Sequence, residues 1–542
     1  MPTLSPPPAP RARRPRFLVA LAALCLLAAS PAAGFASPDG KRSEDVLDSY
    51  VARYRSVEGR RDDAAFETQR EALEQIADLA SEASRKVLRD LAQEQRNGDR
   101  RRLALVLGAL VRQGGPAEVD AAIKSAEASR DGTLLEALPR ILAGARRREG
   151  VQHLRGPAFA AATPEVKARI ARAMGLMGDK EAVVVLVAAL REEDVRVRAE
   201  VLLALGDLGD ETAFPNMQMF LKAPDARVRE VAARALGTLG SGRAVPHLVA
   251  ALSDAASLVV ESAARSLGLL GSPNAVSPLI ERLAVAAAAS PEPAPKPAPP
   301  ADPRASDLRL VDTLEHALER LTGMTLGDDP EMWRAWWKEN KDKPPADTSR
   351  PNAPTTVSGP RYYGFGVRSS RVLFVLDVSR SMSWNDRLET ARKELVQVLE
   401  HLPQRTRFGV QTFSDATDAW TEKLVFATAE NVRKAVRYVE RLQPVRGTNT
   451  YEALRLAFKD EDVDTIFFLS DGAPTWGPVT EPDAILADVR ELNRFRRVHI
   501  HTIALVKGEP PASAAASENP VAMISFMKRL AEENDGKYVE KR

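Results

Sequence analysis

The chain has 542 residues, too long for one hydrophobic core, so three or four domains are expected. Its 76 Lys+Arg and 74 Asp+Glu leave a formal net charge of +2 and are interspersed, which removes the electrostatic case for nucleic acid. Six scattered His and a single Cys indicate neither a zinc site nor a disulfide framework.

At the N-terminus, Arg11, Arg13, Arg14 and Arg16 precede the apolar run Phe17–Ala29, and small residues follow near Ala32–Ala36. A basic start, a short apolar stretch and small residues at its end make residues 1–36 a secretory signal peptide. The run is shorter than the ~20 residues a membrane span needs. Leu24 before Cys25 speaks against lipidation, and Arg13-Arg14 leaves Sec and twin-arginine export both open. Export to the periplasm, cell surface or medium is therefore expected, with no cysteine in the mature protein.

Residues 41–115 are charged and Ala/Leu-rich with helical spacing. A repeat then emerges. AMGLMGD, ALGDLGD, ALGTLGS and SLGLLGS place glycines at 175, 206, 237 and 268, always 31 apart. Ala182, Ala213, Ala244 and Ala275 keep the same step, as do Leu190, Leu221, Leu252 and Leu283. Each unit holds two apolar-periodic segments around the LG-x-LG turn, and such a pair buries its apolar face only against its neighbours. Asp194 with Arg198, and Asp225 with Arg229, suit helix capping and an i,i+4 pair. These four units resemble HEAT-like repeats of the short bilin-lyase type, which implies an α-helical solenoid over residues 116–283. Gly144 lies one step before Gly175 and marks a degenerate earlier unit. The features the units share are Ala, Leu and Gly, which serve packing, so any role beyond architecture is partner binding.

Residues 284–303 read as a Pro/Ala linker and 344–360 as a second, polar one. Between them, residues 304–343 are helical, as a cap or a last repeat into which the first linker is inserted. Trp333, Trp336 and Trp337 share one helical face, which suits a cap closing the end of the stack.

From residue 361 to 542 apolar strands such as VLFVLD, RFGVQTF and TIFFLS alternate with amphipathic helices. That pattern predicts an α/β, doubly wound, mainly parallel sheet covered on both faces, with ligands bound beyond the C-terminal strand ends. Two strands would each deliver an acid to that edge, Asp377 and Asp471. The segments D-V-S-R-S (Asp377, Ser379, Ser381), R-G-T-N-T (Thr448) and F-L-S-D-G (Asp471) resemble the three parts of the metal-ion-dependent adhesion site, MIDAS, of a von Willebrand factor A (VWA) domain. The resemblance implies that Ser379, Ser381 and Thr448 ligate a divalent cation directly, and Asp377 and Asp471 directly or through water. Hard oxygen donors of this kind suit Mg²⁺, with Mn²⁺ or Ca²⁺ as alternatives. A protein partner would supply an Asp or Glu to the remaining position.

Arg380 stands where relatives commonly carry a small residue; it either biases partner choice or points to solvent. Trp384 and Trp476 are candidate partner anchors at the rim, or pack on their own domain. His499 and His501 alternate on one strand; with no other ligands for a metal beside them, they read as a packed or tip-exposed pair. A serine nucleophile would need a base, and none of the three motif segments holds His or Lys. The sequence also lacks a phosphate-binding P-loop. The expectation is an exported, non-enzymatic scaffold with no nucleic-acid partner and no membrane span after signal cleavage. In it, a metal-dependent VWA domain and the HEAT-like repeats offer two interaction surfaces. The alternatives are a regulatory subunit of a chelatase-type enzyme complex, which an exported protein would not meet, and a purely structural protein.

Overall fold

The computed structural model describes residues 40–289, 305–342, 360–506 and 520–541, apart from 59, 61–62, 96–98, 130–131, 368 and 405. The expected signal peptide, Cys25 and the Pro-rich cores of both expected linkers lie outside the described residues. No described helix is long and apolar enough to cross a membrane.

The N-terminal part is a stack of helix pairs. Its inner row contains Pro164–Met177, Val195–Leu208, Ala226–Leu239 and Ser257–Leu270, each packed on the next. The repeated glycines explain the spacing. A Cβ on Gly206 would stand 2.7 Å from the Ala235 carbonyl oxygen, and one on Gly237 would stand 2.5 Å from Ser266 Cβ. The first glycine of each turn therefore sets how closely neighbouring inner helices approach. The second (Gly178, Gly209, Gly240 and Gly271) ends the helix at φ of 66°, 64°, 75° and 67°, a conformation that suits glycine.

The structure corrects three expectations here. No boundary falls at residue 115: helices Asp63–Asp78, Arg100–Gln113 and Thr133–Ala143 already belong to the inner row, and one apolar core runs from Leu103 to Trp333. The helix Val276–Ala289 continues into the expected first linker, because its Ala-rich start favours helix and the break comes only where Pro accumulates. Asp194 and Asp225 cap their helices, but the i,i+4 pairs do not form. Asp194 pairs with Arg196 at 3.2 Å, and Arg229 reaches Asp254 in the next unit at 2.7 Å, since a capping carboxylate faces back along the chain.

Helix Ala305–Thr322 takes the next inner position. Gly268 meets Ala317 there as Gly206 meets Ala235, so the first linker is indeed inserted within a repeat. Helix Pro330–Asn340 then closes the stack. Trp333 is buried with its indole N–H donating to the Gly327 carbonyl at 2.7 Å, while Trp336 and Trp337 are half-buried.

The C-terminal domain holds a short hairpin, β1 (Arg361–Tyr362) and β2 (Phe365–Gly366), and a seven-stranded sheet. The sheet order is β5 (Thr417–Ala419), β4 (Arg407–Phe413), β3 (Arg371–Asp377), β7 (Thr465–Ser470), β8 (His499–Leu505) and β9 (Tyr538–Lys541). The short β6 (Val425–Phe426) also pairs with β4. Strands β4, β3, β7, β8 and β9 are mutually parallel; β5 and β6 are antiparallel to β4. The chain leaves β3 on one side for β4 and returns on its other side as β7. The strand order therefore reverses at β3, and the crevice beyond its C-terminal end is the expected ligand position. Two apolar layers cover the two faces of the sheet.

The two parts are joined by more than linkers. Arg172, Arg234 and Arg265 recur on the inner row at multiples of the 31-residue step. Each meets the segment that runs from helix Pro482–Leu492 to the end of the domain. Arg172 pairs with Glu491, Arg234 donates to the Arg494 carbonyl at 2.5 Å, and Arg265 contacts His499 and Asp535. Arg494 answers to Glu200 at 2.9 Å, and Lys537 to Glu319 on Ala305–Thr322 at 3.2 Å. This seam engages the N-terminal ends of β7 and β8. The crevice lies at the other end of the same strands, about 17 Å away along the six residues of β7.

Candidate metal centre

Burial drives β3 through the middle of the sheet, so its apolar run needs no exposed face and ends where the backbone reaches the edge. Asp377, its last residue, is fully buried. Oδ1 accepts the Ser379 N–H at 2.7 Å and Oδ2 accepts the Ser470 hydroxyl at 2.5 Å. The Ser379 N–H thus turns the chain back over the carboxylate. Ser379 and Ser381 place their hydroxyls 3.0 Å apart, and Ser381 donates to Asp471 Oδ1 at 2.8 Å. The second segment arrives through a parallel bridge between Ser379 and Val445. Gly447, at φ 80°, turns it so that Thr448 points inward and Asn449 caps helix Thr450–Ala457. The Thr448 carbonyl accepts the N–H groups of Thr475 and Trp476, which ties the second segment to the third. A Cβ on Gly472 would lie 3.9 Å from Thr448 Oγ1 and 4.0 Å from Ser381 Oγ, so both hydroxyls border one small space. The five residues named from the sequence, Asp377, Ser379, Ser381, Thr448 and Asp471, thus come together.

The electrostatics call for a cation. Burial, and then the neighbouring Asp471, push the Asp377 carboxyl up to about 7; burial likewise raises Asp471, against the pull of Arg387. Two buried carboxylates beside three hydroxyls are hard oxygen donors of the kind a small divalent cation takes. The residues present fit such an ion.

Of the three rim candidates, Arg380 is exposed, and its carbonyl accepts the Ser383 hydroxyl at 2.8 Å. Trp476 is 53% exposed, and Trp384 is half-buried with its ring 5.9 Å from the Arg387 guanidinium. Arg387 itself was not singled out by the sequence. It is buried and donates to Asp471 Oδ2 at 2.8 Å. One signal pointed to it: a cation at the first position of helix Arg387–His401 opposes the helix dipole, so a local anion had to hold it there.

A second cluster has the donor types of a metal site. Asp312, His499 and His501 bring ligand atoms within 4.8 Å of one another, beside a small cavity also lined by Arg309 and Phe467. The sequence supplied the two histidines and had no reason to bring Asp312 from the solenoid. Three of the four ring nitrogens already face protein partners. His499 Nε2 faces the Arg265 guanidinium, which only donates, so Nδ1 carries the proton and lies 3.8 Å from Asp312. His501 Nδ1 accepts the Lys537 N–H at 3.1 Å, and its ring stacks on Phe467. With Arg265, Arg309 and Lys537 beside it, this cluster reads as the polar heart of the seam, in agreement with a packed histidine pair.

Residues 372–473 match the von Willebrand factor type A domain model, and residues 156–223 and 215–289 match HEAT repeats. The chain carries HEAT repeats and a VWA domain. The VWA domain is similar to mouse inter alpha-trypsin inhibitor heavy chain 4, 36% identical over 135 residues, which cover 23% of this chain and 14% of that protein. It is also similar to human von Willebrand factor A domain-containing protein 3A, 28% identical over 184 residues, covering 34% of this chain and 14% of that one. The chain thus spans about one seventh of the length of these curated relatives.

Proposed function

We propose that this protein is an exported scaffold whose VWA domain captures protein partners through a divalent cation, most readily Mg²⁺, held as a MIDAS by Asp377, Ser379, Ser381, Thr448 and Asp471. The observation that carries the reading is the convergence of two buried carboxylates and three hydroxyls, from three separated segments, at the strand-order reversal. An Asp or Glu of the partner completes the coordination. The rim suits such a partner. The Ser379–Val445 bridge sets the next residues, Arg380 and Arg446, side by side and exposed, and Val445 and Trp476 add apolar surface. The domain acts by binding and not by turnover, because Ser379 and Ser381 bond to each other and to Asp471. The cation at Asp471 is an arginine, which is no base at neutral pH.

The HEAT repeats are an interaction module in this reading too. The partner that fits their inner face is the protein's own VWA domain, held so that the metal edge points away from the solenoid. Other solenoid faces stay available to further partners. Export rests on residues 1–36, and a reporter fused to residues 1–40 tests it by its appearance outside the cytoplasm.

Metal binding is tested by thermal melting of the full chain. Saturation with Mg²⁺ to 100 times its Kd is expected to stabilise the fold by about 2.7 kcal/mol. A melting temperature unmoved across the titration refutes the metal reading.

A further inference from the structure

We infer that Arg387 is the specificity-determining residue of this edge: its charge offsets one of the two carboxylates, so that a bound divalent cation leaves the edge net positive and selective for a partner carboxylate. The inference rests on the metal reading above.

Arg387 is buried in direct contact with Asp471. Its side chain is 3% exposed, and burying a cation is unfavourable without a paired anion. It also stands at the positive end of helix Arg387–His401, whose cap, Asp386 at φ 56°, makes no side-chain capping bond. The 2.8 Å bond to Asp471 Oδ2 supplies such an anion. It divides the carboxylate by function. Oδ2 is held by the guanidinium, while Oδ1 faces the Ser381 and Ser379 hydroxyls at 2.8 and 3.4 Å, on the side where the cation would sit. The ring of the half-buried Trp384 lies 5.9 Å from the guanidinium.

The charge count follows. In the loaded site both carboxylates are ionised: Asp377 and Asp471 contribute −2, Arg387 +1 and the divalent cation +2, giving +1. Without the arginine the loaded site would be neutral. Arg387 therefore weakens the hold on the metal and strengthens the hold on an incoming carboxylate. The two effects have opposite signs, and a residue that merely supports the fold would not separate them.

The test uses the full chain, as wild type, Arg387→Gln, Arg387→Leu and Arg387→Lys, each checked for fold by circular dichroism. Mn²⁺ alone is titrated first, by calorimetry. Acetate is then titrated into the Mn²⁺-loaded protein, and water-proton relaxation reports displacement of metal-bound water. The two neutral variants are expected to bind Mn²⁺ about tenfold more tightly and acetate about tenfold more weakly than wild type, with Arg387→Lys close to wild type. Having two neutral variants keeps the comparison from depending on the folding of one. Neutral variants that bind Mn²⁺ no more tightly than wild type, or acetate no more weakly, overturn the role of Arg387 and leave the metal reading standing. A wild type that binds no Mn²⁺ overturns both.

Discussion

Replacing Arg265 with Ala is expected to open the seam between the solenoid and the VWA domain. Arg265 is buried, 3.2 Å from Asp535, 3.8 Å from Glu261 and in contact with His499. Burial works against the charge on Asp535, but Arg265 and then Arg497 more than reverse it and hold that carboxyl well below its usual range. Removing the guanidinium takes from the half-buried Asp535 its main counter-charge and from the buried Glu261 its second after Arg309, a loss of up to about 3–5 kcal/mol. That is a large fraction of a domain's stability, and it falls on contacts that hold the two parts together. Small-angle scattering is expected to show a larger radius of gyration, and melting to split into separate solenoid and VWA transitions. Unchanged scattering with one unchanged transition would show that the seam does not hold the parts.

The same seam gives a pH dependence. Burial, reinforced by nearby Lys and Arg charges, lowers His499, holds His501 down at about 4 and His316 at about 3. In an opened seam these rings return to about 6.5 and bind protons more readily, so their contribution to closure is complete above 6.5 and lost as pH falls toward 4. Glu319 acts in the opposite sense: burial raises it to about 7, so its contribution is present below about 4.5 and lost as pH rises through 7. Three histidines outweigh one glutamate between pH 7 and 5. The radius of gyration is therefore expected to grow on acidification over that window; a constant value would contradict it.

Asp377→Ala is expected to abolish partner capture while sparing the metal-free fold. Asp377 is fully buried, and burial with the Asp471 charge pushes its carboxyl up to about 7, so its ionised form is uncomfortable without a cation. Removing it relieves that repulsion and costs the Ser379 and Ser470 hydrogen bonds, two effects of opposite sign. For the cation the loss is one-sided. A buried carboxylate leaves a set that holds only one other, and Mg²⁺ affinity is expected to fall more than about 100-fold. Calorimetry on the two proteins measures this. Equal Mg²⁺ affinity would place the ion elsewhere.

What the sequence disclosed depended on whether a residue's reason lay in its own segment. The 31-residue glycine step was legible because each glycine sits against the next inner helix in the same way. Asp377, Ser379, Ser381, Thr448 and Asp471 were legible because strand ends and turns place them, whatever packs behind. Arg387 was missed because its reason is Asp471, far along the chain. The Arg172, Arg234 and Arg265 ladder kept the repeat step but was hidden by Leu203 at the intervening position, and its partners lie in the other domain. Asp312 beside His499 was out of reach for the same reason.

The most direct test of the central claim is a pull-down from whole-cell and extracytoplasmic extracts of the source cells, with wild type in Mg²⁺, wild type in EDTA, and Asp377→Ala in Mg²⁺. The expected result is a set of acidic partners retained only by wild type in Mg²⁺ and released by EDTA. Identical partner lists in all three conditions would contradict capture through the metal.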